Sequence, residues 1–353
     1  KNDGDIFYAV STDNRTSWGV AKASDGVRKI AKNNSGTWQY NNDAGVTVSI
    51  GYDLSSISPD NKYWDISHNT GYDYHGIHMG ADGYHLYGVN QDDDSIRVWD
   101  LTTQWDISSA VYYRYRTSHL TQPRALALSV DGTKMYCSQN TGDVRQYELS
   151  TAWDLTTYSG GTSTAANLGS LDHIVFKPDG TRVWTYYNRI IKEYSISTAW
   201  DLTSTVTLVQ TVTSTDTTYL NSGSGKTMAW NADGTAFFEA GGNNKLQRVP
   251  CSTAWDISTM QSPNQGLALN SLSYSNTAWG SNPCGDIQFG DNGQKLYLYE
   301  DNKKWVRQFS TSGTTTSYTT SETWVNGTNN NEHATVQQAL GAQSFNRMNK
   351  AQL

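Results

Sequence analysis

One pattern, written five times, leaves this chain very few folds to choose from. Two apolar residues two positions apart come first: Ile77/Met79, Leu126/Leu128, Ile174/Phe176, Met228/Trp230 and Ile287/Phe289. A turn follows at Asp82-Gly83, Asp131-Gly132, Asp179-Gly180, Asp233-Gly234 and Asn292-Gly293. After two more residues stands an apolar–aromatic pair: Leu86-Tyr87, Met135-Tyr136, Val183-Trp184, Phe237-Phe238 and Leu296-Tyr297. A third apolar run comes next, as in Val144 to Tyr147 and Val306 to Phe309. The turns recur roughly every 50 residues, and short strands grouped at that period are the mark of a β-propeller.

Each part of the unit has a physical reading. Asp-Gly and Asn-Gly supply the positive φ that tight hairpin turns demand. Apolar residues two apart share one face of a strand. After the third strand comes a corner, Thr103-Gln104-Trp105-Asp106, then Thr151 to Asp154, Thr198 to Asp201 and Thr253 to Asp256, each leading into Thr/Ser-rich sequence fit for a half-wet outer strand. The corner tryptophans Trp105, Trp153, Trp200 and Trp255 read as packing between blades rather than as ligand contacts, and the adjacent Asp as a turn cap. The fifth unit has no Trp-Asp after its third strand, but Tyr63-Trp64-Asp65-Ile66 precedes the first unit. Trp64 is therefore assigned to the same structural set, and an N-terminal strand is expected to complete the last blade. That makes five blades. Tyr52-Asp53-Leu54-Ser55 also resembles a third-strand end, so a sixth, degenerate blade is the alternative.

Composition narrows the function classes. Of 353 residues, 36% are hydrophobic and 12% aromatic, enough for a sizeable core. Charge is sparse at 17%, with a net −7, which argues against a nucleic-acid partner. No apolar run approaches the roughly 20 residues of a membrane span, so no membrane insertion is expected. The chain opens on Lys1, as a fragment or a processed product would. Cys137, Cys251 and Cys284 are an odd set without metal spacing; Cys137 belongs to a core strand, and a Cys251–Cys284 bridge requires the fold to bring them together. The seven histidines form no zinc pattern. Asp92-Asp93-Asp94 reads as a solvated turn before it reads as a calcium loop. No metal or cofactor is expected.

The two ends have a different grammar. Residues 1–46 read as a small β-meander, with strands around the Ser11–Trp18 turn and further turns at Ser24 to Gly26 and Asn33 to Gly36. Such a meander is too small to be stable alone. Residues 47–311 hold the propeller. Residues 312–353 hold a Thr/Ser-rich link, a short strand at Glu322 to Val325 and an expected helix from His333 to Leu353, with apolar Val336, Leu340, Phe345, Met348 and Leu353. Tyr8 to Trp18 and Asn33 to Asn41, with Glu322 to Trp324 and Gln343 to Leu353, resemble a module of tailed-bacteriophage structural and tail-fibre proteins. The Ser-Thr-Ala-Trp-Asp-Leu runs at 150–155 and 197–202 are similar to propeller repeats in virion proteins of marine phages. The resemblance implies a virion setting, with a propeller inserted between two halves of one module. Ser11 to Trp18 also nearly fits the Asp-box hairpin of sialidase-type propellers, with Arg15 where Gly belongs; that hairpin is structural and carries no chemistry.

The repeats, compared with one another, point to a binding face. Loops joining strands one to two and three to four are nearly uniform. Loops joining strands two to three, and the crossings between blades, differ in every unit: Asn90 to Ser95, His68 to His75, Ser118 to Arg124, Gly161 to Asp172, Ser214 to Lys226 and Ser262 to Asp286. Variable loops on a rigid ring are where scaffolds place binding. Tyr72, Tyr74, Tyr219 and Tyr274 lie in them as candidate ligand contacts, suited to sugar rings. No nucleophile–base set or carboxylate pair stands out, so no catalytic residue is assigned. The expected function is a non-enzymatic virion component, a tail-fibre or surface protein, that displays a propeller for attachment to a host glycan or receptor. Its partners would be other virion proteins and copies of itself. The alternatives are a purely architectural or decoration protein, a glycan-degrading enzyme, and a secreted bacterial adhesin.

Overall fold

In a computed structural model, the propeller is described over residues 51–67, 74–139, 141–161, 164–214, 225–241, 245–272 and 284–311, and the flanks as short strands between 9 and 49 and between 315 and 349. Five antiparallel sheets make five blades. Blade 1 is Tyr74–Met79, His85–Asn90, Ser95–Leu101 and Ala110–Thr117; blade 2 is Pro123–Leu128, Lys134–Gln139, Asp143–Leu149 and Tyr158–Gly160, with Ala166–Asn167 beside its third strand. Blade 3 is His173–Phe176, Arg182–Tyr187, Ile190–Ile196 and Val206–Thr213; blade 4 is Gly225–Trp230, Ala236–Gly241, Lys245–Pro250 and Gln265–Ala268. Blade 5 takes Cys284–Gly290, Lys295–Glu300 and Trp305–Thr311 from the end of the ring and Ile57–Asp65 from its beginning.

That last pairing closes the ring as expected. Trp64 faces Val306, Tyr63 faces Arg307 and Ile57 faces Thr311. The core follows from closure. A four-stranded sheet has two faces, and each is covered by the next sheet round. Tyr87, Val89 and Val98 of blade 1 pack with Leu126, Met135 and Tyr147 of blade 2. Tyr297 and Val306 of blade 5 pack with Leu86 and Trp99 of blade 1, so the seam is as apolar as the other interfaces.

The corners settle the blade count. Trp105, Trp153, Trp200 and Trp255 all have φ between 60° and 67°, a region costly for a bulky side chain. The cost is offset by a repeated contact. The Trp153 N–H donates to Gly132 O at 2.9 Å, and its ring lies on Gly132 so closely that a Cβ there would overlap it. Trp105 on Gly83, Trp200 on Gly180 and Trp255 on Gly234 repeat this. The fifth equivalent is Tyr52, with φ 69°, its N–H on Gly293 O at 3.0 Å and its ring over Gly293. Tyr52 therefore belongs to blade 5, and the six-bladed alternative falls away. The assignment of Trp64 is corrected by the same geometry: it sits inside the outer strand of blade 5, whose hydrogen-bonding partner is Val306, and is no corner residue. The Asp after each corner aromatic caps the next turn, as Asp154 Oδ1 does by accepting from Thr156 N at 2.8 Å.

The flanking segments form a unit of their own. Residues 1–50 and 314–353 cluster together, and residues 51–313 form the other unit. Within the first, Ala9–Ser11 pairs with Trp18–Val20, Ile30–Lys32 with Trp38–Tyr40, and Val46–Ser49 with Thr315–Tyr318 across the length of the chain. The continuous helix expected from His333 is not formed: His333–Ala334 is a strand paired with Met348–Asn349. Gly341 midway, and Thr335 and Val336 beside the first strand, weaken a helix there; residues 335–347 lie outside the described residues, as does the strand expected at Glu322 to Val325.

Candidate functional site

The ring has two unlike faces. On one, the loop between strands one and two meets the corner between strands three and four, which is the Trp–Gly contact above. On the other, the loop between strands two and three meets the crossing to the next blade: Ser118 N donates to Asp94 O at 2.7 Å, and Gln122 N to Asp94 Oδ1 at 2.7 Å. Asp93 is turned to Arg97 at 2.5 Å. These contacts give Asp93 and Asp94 structural work in the turn, and no cluster of three His, Cys, Asp or Glu suited to a metal occurs among the described residues.

The first strands of the blades line the axis, and the residues that begin them converge on this second face. Counting back from the first apolar residue of each repeat, the second position is His75, Arg124, Asp172, Lys226 and Gly285. Tyr74, His75, Arg124, Asp172, Gly285 and Asp301 line a recess that is partly open to solvent. Four blades contribute to it. The Arg124 guanidinium lies 3.3 Å from His75 Nδ1, and Asp301 is paired with Lys304 at 2.7 Å. A guanidinium, an imidazole and two carboxylates in one open recess offer both donors and acceptors to a polar, hydroxyl-rich ligand.

One step down the axis the same column is Gly76, Ala125, His173, Thr227 and Asp286. Asp286 is wholly buried, and three other blades reach it. Its Oδ2 accepts from Ile77 N at 2.8 Å, and its Oδ1 from Thr227 Oγ1 at 2.7 Å and Ile287 N at 2.7 Å. His173 Nε2 is 3.1 Å from Oδ1, at ion-pair distance but off the line of a hydrogen bond. Below lies His78. Burial pushes its pKa down to about 4, against the opposing pull of Asp286 and with the help of His173. A carboxylate this fully engaged binds the blades together.

Two more buried polar groups support the loop-bearing face. Glu239 accepts from Tyr186 Oη at 2.6 Å, Ser214 Oγ at 2.6 Å and Gln247 Nε2 at 2.5 Å, and burial followed by this carboxylate raises the Tyr186 phenol well above its ordinary value. Glu300 pairs with Arg307 at 2.5 Å, both wholly buried.

The sequence-derived contacts meet this geometry unevenly. Tyr72, Tyr219 and Tyr274 lie outside the described residues. Tyr74 is corrected: it is 1% exposed, packs against Trp99 with ring centroids 5.7 Å apart and carries Arg97 over its ring, so it is a core residue at the edge of the recess rather than a surface contact. Trp105, Trp153, Trp200 and Trp255 sit between blades as expected: Tyr87 Oη donates to Trp153 O, Tyr136 Oη to Trp200 O at 2.5 Å, Tyr297 Oη to Trp105 O at 2.9 Å, and Trp184 stacks on Trp255. Cys137, Cys251 and Cys284 are buried free thiols, so the Cys251–Cys284 bridge is not made. His75, His78, Arg124, Asp172, His173 and Asp286 were missed as a group. For all but His78 the signal was present: aligning the five repeats on their turns puts mostly polar residues in the two columns before the first apolar pair, where a plain blade needs none.

Comparison with known proteins adds little. No protein-family model matches the chain, and no curated protein matches it. Among solved structures, the β-propeller domain of Cps50 (Swd1) from Myceliophteria thermophila aligns at 9% identity and a TM-score of 0.38, covering 65% of this chain and 62% of that one.

Proposed function

We propose that this chain is a non-enzymatic structural protein of a tailed-phage particle, a tail-fibre or surface component whose propeller is an attachment platform. A host-surface glycan or receptor meets the loop-bearing face at the axial mouth. The observation that carries this reading is the convergence of His75, Arg124, Asp172 and Asp301 from four blades on one open recess, while the opposite face is closed by repeated caps. The pairing of Val46–Ser49 with Thr315–Tyr318 supports the insertion of the ring into one flanking module, the one that resembles virion proteins. Weak single-site binding suffices where many copies act together.

The test is attachment of purified protein to host cells, with Arg124→Ala combined with Asp172→Ala. Both residues lie at the rim, so folding should survive while attachment falls at least about tenfold, roughly the loss of one charge-assisted contact. Undiminished attachment by a folded double variant would return the ring to an architectural role. Release of new reducing ends from host polysaccharide by the parent chain would make it a depolymerase instead.

A further inference from the structure

Arg97, Arg114, Arg182 and Arg307 each hold a carboxylate: Asp93 at 2.5 Å, Asp154 at 2.5 Å, Glu193, and Glu300 at 2.5 Å. Arg124 at the axial mouth does not. Asp172 and Asp301 line the same recess, yet among the described residues no carboxylate is paired with its guanidinium. Its Nη1 meets His75 Nδ1 at 3.3 Å. A guanidinium can only donate, so Nδ1 accepts and carries no proton. An imidazole in that form is neutral and leaves the charge of Arg124 uncompensated. The Arg124 Nε is buried and has no hydrogen-bond partner, so nothing on that side satisfies it either.

A permanent charge on the wall of an open recess, with no counter-charge of its own, suits an anionic ligand group, and a guanidinium matches the planar carboxylate best. The rest of the recess limits what can carry that group. Asp301 is paired with Lys304 at 2.7 Å, and Asp172 is fixed by its N–H, which donates to Tyr186 O at 2.8 Å. A carboxylate has about four acceptor sites, so one partner does not exhaust it. Two such groups repel a ligand that is anionic all over, such as sulfate or phosphate. They accept from hydroxyls. A neutral sugar would leave Arg124 uncompensated, and a plain anion would meet the two aspartates. A ligand with one carboxylate and several hydroxyls fits both conditions.

We propose that the axial recess is a subsite for a sugar acid, a hexuronic acid residue of a glycan, whose carboxylate seats on Arg124 while its hydroxyls donate to Asp172 and Asp301. This rests on the reading of the loop-bearing mouth as the ligand face, and narrows it from glycans at large to acidic ones.

Calorimetric titration of the full chain tests it, with short oligosaccharides of glucuronic, galacturonic and mannuronic acid and the same oligosaccharides after reduction of their carboxyl groups to alcohols. At least one acid should bind about tenfold or more tighter than its reduced form, roughly the worth of one charge-assisted pair. That preference should shrink as salt rises from about 20 to about 500 mM. Arg124→Gln, which keeps a donor for His75 without the charge, should erase the preference, and Arg124→Lys should retain part of it. An unchanged melting temperature confirms that each variant folds. No binding of any of the three acids, equal binding of acid and reduced form, or a preference that survives Arg124→Gln overturns the proposal. So does inorganic sulfate that competes as well as the sugar acid, which would make Arg124 a general anion contact. Soluble sugars keep this outcome apart from cell attachment. A chain that attaches to host cells through its rim but shows no preference for the acids loses the subsite and keeps the attachment reading. One that prefers the acids, yet attaches undiminished with Arg124 and Asp172 both replaced, keeps the subsite and loses that reading.

Discussion

The two faces of the ring join the same blades by opposite means. On the corner face every junction is a copy: an aromatic residue in the left-handed region, seated on a turn glycine, its carbonyl or ring held by the aromatic residue of the preceding blade. On the loop-bearing face every junction is individual. Blade 5 reaches blades 1, 3 and 4 through Asp286, blade 4 reaches blade 3 through Glu239 and Tyr186, and Arg307 is paired with Glu300 inside blade 5. The difference shows how one repeat can be stable and varied at once. Redundant apolar junctions on one face hold the ring, and that leaves the chain beginning each first strand free to differ from blade to blade.

The sharpest way to break this comparison is at Asp286. If its three contacts across blades are a structural knot, Asp286→Ala leaves Ile77 N, Ile287 N and Thr227 Oγ1 buried without an acceptor. The expected loss is about 4 kcal/mol, the scale seen when one partner of a buried charged network is removed. Chemical denaturation measures it. A loss under about 1 kcal/mol would mean that the axis, like the rim, contributes little to stability, and would reopen a functional role for this carboxylate.

The corner face answers to a smaller change repeated. Trp153→Ala removes a half-buried indole from between blades 1 and 2 and leaves a left-handed residue with nothing to hold it there. About 3 kcal/mol is expected, at the low end for a large aromatic because the ring is partly exposed. Tyr52→Ala should cost a similar amount if Tyr52 is the fifth corner. A Tyr52 variant as stable as the parent would put the closure of blade 5 entirely on the Ile57–Asp65 strand.

Much of this architecture was legible because it repeats. Asp-Gly turns, apolar pairs and Trp-Asp corners each recur, so an error at one copy is corrected by the others, and the pairing of Trp64 with Val306 follows from one missing strand. The misassigned element was the one copy that departs from the rule. Tyr52 stands where four blades have Trp, and Trp64-Asp65 imitates a corner by composition while lying in an extended strand. The physical signal for a corner is positive φ over a turn glycine, and the residue names do not carry it. The axial recess was hidden for the opposite reason. His75, Arg124 and Asp172 are far apart in the chain and resemble ordinary loop ends, and only the closure of the ring brings them together. Tyr74 was read as surface because aromatic residues beside a loop often are; its burial comes from Trp99 and Arg97, two strands away.

The smallest expected effect separates the faces by pH. His78 lies beside Asp286 and His173, and its folded pKa is depressed to about 4 from an ordinary value of 6.5. Between those values the unfolded chain binds more protons than the folded one, so stability falls as pH drops from about 6.5 to 4 and changes no further on this account below 4. The full shift corresponds to about 3 kcal/mol, and partial solvent access along the axis reduces the expected change to about 2 kcal/mol. The corner carboxylates titrate lower. Hydrogen bonds from Thr203 hold Asp201 below 3.8, and those from Ser258 and Gln210 do the same for Asp256, so their contribution is present at neutral pH and lost only as pH falls through and below that value. Urea midpoints between pH 7.5 and 3 should therefore decline in two stages. His78→Gln, which cannot take up a proton, should remove the first stage and leave the second. If the variant declines as the parent does above pH 4.5, the histidine on the axis is not the group that responds, and the early loss belongs to the loop-bearing rim.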